Sequence, residues 1–194
     1  MLTVTLSGPY GVLEPLGIGH IPGLLTAGQD ERIWTFTLDK PVTAAGMNAY
    51  VTRALTEWRD GATLPFAVRT PDGEIVGSTR LAAIARSDRG VEIGWTWYAP
   101  RVWRTALNTQ CKLLLLRHAF ESLGCIRVEL KTDARNSRSR AAIARLGAVE
   151  EGTLRSKVIM RDGYRRDSVY YSILEAEWPG VRSRLEGYLE RAQG

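Results

Sequence analysis

The stretch RVWRTALNTQC, residues 101–111, carries two arginines, several hydroxyl or amide side chains and no acid, and it runs straight into an apolar periodic segment. A junction of strand end and helix start exposes unpaired backbone N–H groups at the positive end of the helix dipole, a setting that binds phosphate. Asn108 is placed to cap the helix, and Arg101 and Arg104 can each add a charge-assisted hydrogen bond of roughly 1.5–3 kcal/mol to a phosphate oxygen. A capped helix with two surface arginines reads the same segment equally well. In NSRS, residues 136–139, Asn136 is an N-cap candidate and Ser139 falls in the first turn, a pattern that helix capping alone explains. Cys111 lies on an apolar stripe without a histidine partner in view, and His118 shares that stripe, so both read as packed residues rather than a nucleophile and its base. The glycines of LGIGHIPG follow no buried strand and lack a dinucleotide fingerprint's third glycine.

These residues need elements to position them. YGVLEPLG reads as a short first strand, and residues 20–37 as one or two short helices with Leu24, Leu25, Ile33, Trp34 and Phe36 turned inward. Met47, Tyr50, Val51, Ala54, Leu55 and Trp58 recur at spacings of three and four, which predicts an amphipathic helix ending at Gly61. LPFAVRT and IVGSTRLAAIA flank PDGE and predict an antiparallel hairpin. VEIGWTWYA follows as a strand, with Val91, Ile93, Trp95 and Trp97 on one face and Glu92, Gly94, Thr96 and Tyr98 on the other, the two tryptophans packing in the core. A helix from Asn108 to Gly124, a half-buried strand in CIRVELKTDA, a helix from Asn136 to Gly147, two closing antiparallel strands and a C-terminal helix at about 177–191 complete the order.

The 194 residues suit one domain with its own core, spanning residues 1–194. With 44% hydrophobic and 24% charged residues, disorder and low complexity are excluded. No apolar run approaches a membrane span, and MLTVTLSGPYG lacks a signal peptide's basic and apolar regions, so a cytoplasmic protein is expected, without membrane contact. Two cysteines, both beside apolar segments, point to neither a disulfide nor a metal site. The net charge of +5 admits nucleic acid, a phosphorylated cofactor or an acidic partner, and the arginines crowd into residues 101–104, 135–145 and 161–166.

The order hairpin, tryptophan-bearing strand, basic loop, helix, strand, NSRS helix and strand pair resembles the GNAT superfamily of acyl-CoA-dependent N-acyltransferases, from about Gly11 to Trp178. The likeness is greatest to the ribosomal-protein-alanine N-acetyltransferase branch (RimJ/RimL-type). It is carried by EIGWTWYAP at 92–100, LNTQCKLLLLRHAFE at 107–121, DARNSRSRAAIARLGAVEEGTLR at 133–155 and DSVYYSILEAEWP at 167–179. The resemblance implies an α+β fold, a mixed and mostly antiparallel sheet of about six to seven strands with helices on both faces, and acetyl-CoA as cofactor. It implies cofactor contacts from Trp95, Thr96, Trp97 and Tyr98, from Arg101, Arg104, Thr105, Ala106, Leu107 and Asn108, and from Asn136. Ser139 would be the proton donor to the leaving thiolate. The family's pyrophosphate loop carries Gly where this chain has Arg104, a departure that either hinders close backbone approach or adds a phosphate ligand.

Acyl transfer needs a neutral amine. An α-amine of pKa near 8 is neutral about a tenth of the time at pH 7, a deficit of roughly 1.4 kcal/mol, whereas a lysine near 10.4 faces roughly 4–5 kcal/mol. Some relatives of this branch place a glutamate in the strand after the NSRS helix, but here no carboxylate lies between Gly152 and Arg161, which leaves Glu92 as the best base or as an exposed strand glutamate without a role. The scarcity of bases favours a protein N-terminus as acceptor, such as that of a ribosomal protein. Open alternatives are a small amine such as an aminoglycoside or polyamine, and a catalytically weakened module that binds CoA or nucleic acid. A basic enzyme does not attract basic ribosomal proteins by net charge, so an acidic groove or an RNA contact would be required. The C-terminal helix is a candidate homodimer contact as well as a packing helix.

Overall fold

Phe66 and Val68 enter one hydrophobic core and Ala67, between them, enters another. That period of two sets the architecture: a central sheet with a separate core on each face. A computed structural model describes residues 3–192. The strands are β1 (Leu6–Gly8), β2 (Gly11–Pro15), β3 (Leu64–Arg69), β4 (Ile75–Ala85), β5 (Gly90–Tyr98), β6 (Arg127–Asp133), β7 (Val149–Ile159) and β8 (Arg165–Leu174). The helices are α1 (Ile21–Ala27), α2 (Ala44–Arg59), α3 (Ala106–Arg117), α4 (Ser137–Leu146) and α5 (Trp178–Glu190), and α3 runs on into a π-type turn at His118–Ser122. The sheet order is β1-β2-β3-β4-β5-β6-β8-β7, antiparallel except between β5 and β6.

Residues of α3, α4 and α5 line the larger core, including Cys111, Leu115, Ile143, Leu146, Val181 and Leu185; α1 and α2 cover the opposite face with Leu24, Met47, Tyr50, Val51 and Ala54. Helices thus flank both faces of a mixed α+β fold. The sheet has eight strands among the described residues, not six to seven: β1 is three residues long, too short to show alternation, and it folds back on β2 with Leu6 opposite Leu13. Residues 20–37 form α1 and a short 3-10 turn at Glu31–Trp34, with Leu24, Ile33 and Trp34 buried but Leu25 and Phe36 only half-buried.

Two local expectations fail for identifiable reasons. Thr105, not Asn108, caps α3: its side chain accepts from the Leu107 N–H, and Asn108 lies inside the first turn. In β5, Ser78 pairs with Trp97 and Arg80 with Gly94, so three steps on β5 face two on β4. This bulge is centred on Trp95, whose φ is 49°, and it reverses the strand's facing. Val91 and Ile93 therefore share their core with Tyr98, Trp97 crosses to the α1/α2 core, and Trp95 stays 40% exposed instead of packing inside.

Candidate active site

Parallel pairing of β5 with β6 stops early. Gly90, Val91 and Glu92 are matched with Arg127, Val128 and Glu129, and beyond them the strands diverge while β6 continues its ladder with β8 as far as Asp133. The backbone of Ile93–Tyr98 on its β6 side and that of Leu130–Asp133 on its β5 side border a wedge-shaped split in the sheet. The bulge at Trp95 sits on its lip. An extended ligand with amide groups can complete such an interrupted ladder by main-chain hydrogen bonds.

At the wide end of the split stand the N-termini of α3 and α4. Arg104 has φ of 62°, the left-handed region that glycine adopts without cost, and its side chain is exposed. The departure from glycine thus keeps the backbone conformation and adds a cation. The Arg138 guanidinium lies 4.0 Å from the centre of the Trp103 ring, with Arg32 over the same ring at 5.6 Å. Burial, then the like charges of Arg104 and Arg32, push the pKa of Arg138 down. Arg32 is held by Asp30, whereas Arg104 and Arg138 have no acidic partner among the described residues. Uncompensated cations converging at two helix N-termini fit a phosphorylated ligand. Arg101 is turned aside and pairs with Glu74 on the β3–β4 turn, both half-exposed, a contact that a stronger anion can displace. Asn136 caps α4, accepting from the Ser139 N–H at 3.0 Å, so both residues stand at that helix start.

Glu92 is not an exposed strand glutamate. It is 4% exposed on the α1/α2 face, and the Lys131 ammonium donates to Oε2 at 2.7 Å across the point where β5 and β6 part. Burial raises its pKa, with Lys131 opposing that shift. A Cβ on Gly94 would come within 2.7 Å of Glu92 Oε1, so the glycine leaves room for the carboxylate to lie along the strand. Arg166, buried and with its pKa lowered chiefly by burial, also faces this region. Arg80 is fully buried opposite Gly94; it donates to Glu57 of α2 at 2.6 Å and stacks near Tyr50 and the exposed Trp95 ring. Above these groups, Arg135 lies 3.5 Å from the Tyr164 ring centre and Arg161 donates to the Trp34 carbonyl, closing the β7–β8 turn against the segment after α1.

On the α3 face, Lys112 is 7% exposed and donates to Thr96 Oγ1 at 3.1 Å, and that hydroxyl shares a 2.7 Å hydrogen bond with Thr79. The sequence reading missed Lys112, Lys131, Arg80 and Arg138. Lys112 hid in CKLLLL, where a helix buried almost all round gives no polar face; Lys131 was the one with a signal, two residues beyond the strand residues paired with Glu92. Cys111 is buried with its pKa pushed up to about 12 by desolvation, which leaves it an inert packed thiol. His118 is half-buried at the end of α3 and away from these groups.

Comparison with known proteins agrees with this geometry. Residues 12–149 match the acetyltransferase (GNAT) domain family. A protein of Bacillus subtilis (strain 168) named as a ribosomal N-acetyltransferase, YdaF, is 29% identical over 176 residues, covering 88% of this chain and 93% of its own. An acetyltransferase crystal structure from T. thermophilus superposes with a TM-score of 0.89 at 36% identity, over 97% of this chain and 98% of that one. Mycobacterium smegmatis RimJ in complex with CoA-disulfide gives 0.80 at 25% identity, over 96% and 93%. The family match spans residues 12–149 and the superpositions cover nearly the whole chain, so the chain belongs to the GNAT acetyltransferase family.

Proposed function

We propose that this acyltransferase uses acetyl-CoA to acetylate a protein N-terminal α-amine, such as that of a ribosomal protein. The observation that carries the reading is Glu92: a buried carboxylate at the apex of the split, opposite the arginine-lined end. Arg104, Arg138 and the α3 N-terminus would hold the phosphates, Arg101 would join them on release from Glu74, and Thr105, Ala106, Leu107, Asn108 and Asn136 would border them. The main chain of Trp95, Thr96, Trp97 and Tyr98 would hold the arm. Acetyl-CoA supplies an acyl group activated on a thiol leaving group. Glu92 takes a proton from the acceptor's ammonium, its raised pKa making it a better base than an exposed carboxylate. Ser139 would give a proton to the departing thiolate as the amide forms and would regain one from solvent.

The surroundings of Glu92 also select the amine. Lys131 and Arg166 stand beside it, a field that repels aminoglycosides and polyamines but tolerates one α-ammonium of low pKa. That YdaF is named for ribosomal N-acetylation supports the same acceptor class. The test is isothermal titration with acetyl-CoA on the wild type and Arg138→Ala, followed by turnover with peptides of free N-terminus, spermidine and an aminoglycoside. Binding weakened about tenfold in the variant, with turnover on the peptides, is expected. Turnover confined to polyamines would overturn the acceptor, and absence of acetyl-CoA binding would leave the binding-module alternative, tested by salt-dependent RNA binding.

A further inference from the structure

Lys112 sits in a place where lysine is costly. An ammonium removed from water loses several kcal/mol of solvation unless a carboxylate and hydrogen bonds replace it. Among the described residues no carboxylate reaches Lys112, and its one side-chain hydrogen bond is the 3.1 Å donation to Thr96 Oγ1. Two of its three N–H donors thus have no partner among the described residues. A methionine there would fill the same volume without that penalty, so packing alone does not account for the residue.

Its position suggests what the free donors serve. The α3 helix runs back beneath β5 from the loop after Tyr98, and Thr96 is the residue following the bulge on the strand that borders the split. Thr96 and Thr79 hold Lys112 on the α3 face at the level where β5 has left β6. Thr109, one turn earlier on α3, is engaged by Arg145 of α4, so the same side of α3 faces its neighbouring helix. The ammonium therefore lies on the α3 face of β5, anchored to the strand segment that borders the split.

We propose that Lys112 is a cofactor-positioning donor of this transferase: anchored by Thr96, its ammonium hydrogen-bonds a carbonyl oxygen of the acyl-thioester arm in the split. This rests on the reading that acetyl-CoA is the acyl donor. The lysine adds a charged anchor to the main-chain contacts along β5, and it fixes how far the arm enters.

The geometry has a pH signature. Burial lowers the pKa of Lys112 to about 8, so the ammonium is present below that pH and lost above it. The titratable groups near it are Cys111 on the same helix, raised to about 12 by burial, and Tyr98 on β5, also raised by burial; the Arg145 guanidinium of α4 reaches Thr109 one turn away. None of these titrates between pH 7 and about 9.5.

The experiment is isothermal titration of acetyl-CoA into wild type, Lys112→Met and Thr96→Val across that pH range, with thermal melts of each protein. Wild-type affinity should fall several-fold as pH rises through 8. Lys112→Met should bind about tenfold more weakly at pH 7, show no such pH dependence and melt no lower than wild type. Thr96→Val, which unanchors the ammonium, should bind more weakly too, and the double variant should lose less than the product of the two losses. Wild-type affinity in Lys112→Met, or the wild-type pH dependence retained in it, overturns the proposal. Should Lys112→Met fail to fold, unchanged affinity in a folded Thr96→Val overturns it alone. Wild type that binds no acetyl-CoA overturns the donor reading itself, a result distinct from both.

Discussion

At position 104 a long side chain occupies backbone conformation that costs an L-residue about 1–2 kcal/mol, and it does so where two other arginines already crowd. Arg104→Gly should therefore raise stability by about 1 kcal/mol in a denaturant titration while weakening acetyl-CoA binding several-fold by calorimetry; tighter binding would show that the side chain obstructs the phosphates. Glu92 makes the opposite kind of prediction. As it is the proposed base, replacing it by Gln should lower kcat about a hundredfold with acetyl-CoA affinity kept. Because the carboxylate is the active form and burial raises its pKa, the acid limb of the wild-type rate profile should lie above an ordinary carboxylate's pH, with activity lost as pH falls through it. An unchanged acid limb in the variant would move the base elsewhere.

At the scale of elements, the helix start after β5 separates two residues that look alike in sequence. Thr105→Ala should cost about 1 kcal/mol in thermal or denaturant unfolding, and Asn108→Ala close to nothing, because only Thr105 satisfies a first-turn N–H. Equal costs would contradict the cap. The same loop shows what was legible beforehand. The strand–helix–strand–helix order, the Asn136 cap and the stop at Gly147 follow from periodicity and local chemistry, which act over a few residues. The bulge at Trp95 does not, because it arises from how β4 and β5 pair, and a single inserted residue then reverses every later side chain. Arg101 stood out for its type, yet the chain pairs it with Glu74, 27 positions away, while Arg138 on the following helix took the place beside Trp103. The residues named through the resemblance lie on β5 and at the starts of α3 and α4, and partners drawn from distant elements decide how their side chains are turned.

For the whole molecule, the formal charge of +5 is less telling than its placement. With Arg104 and Arg138 lacking an acidic partner among the described residues, acetyl-CoA affinity should fall steadily between 50 and about 500 mM salt if they hold its phosphates, and Arg138→Ala should flatten that dependence. Among the described residues no helix is long and apolar enough to cross a membrane. The split carries a consequence of a mechanical kind. Three residue pairs are all that join the ladder of β1–β5 to that of β6–β8, so the sheet is two half-sheets meeting at a short seam. Such a seam is where native-state amide exchange begins, and the N–H groups of Ile93–Tyr98 that point towards β6 should exchange far faster than those of β3 or β8. A ligand lying along both lips would act as the missing strand, so saturating acetyl-CoA should slow exchange on both sides of the seam together and make the two halves unfold as one.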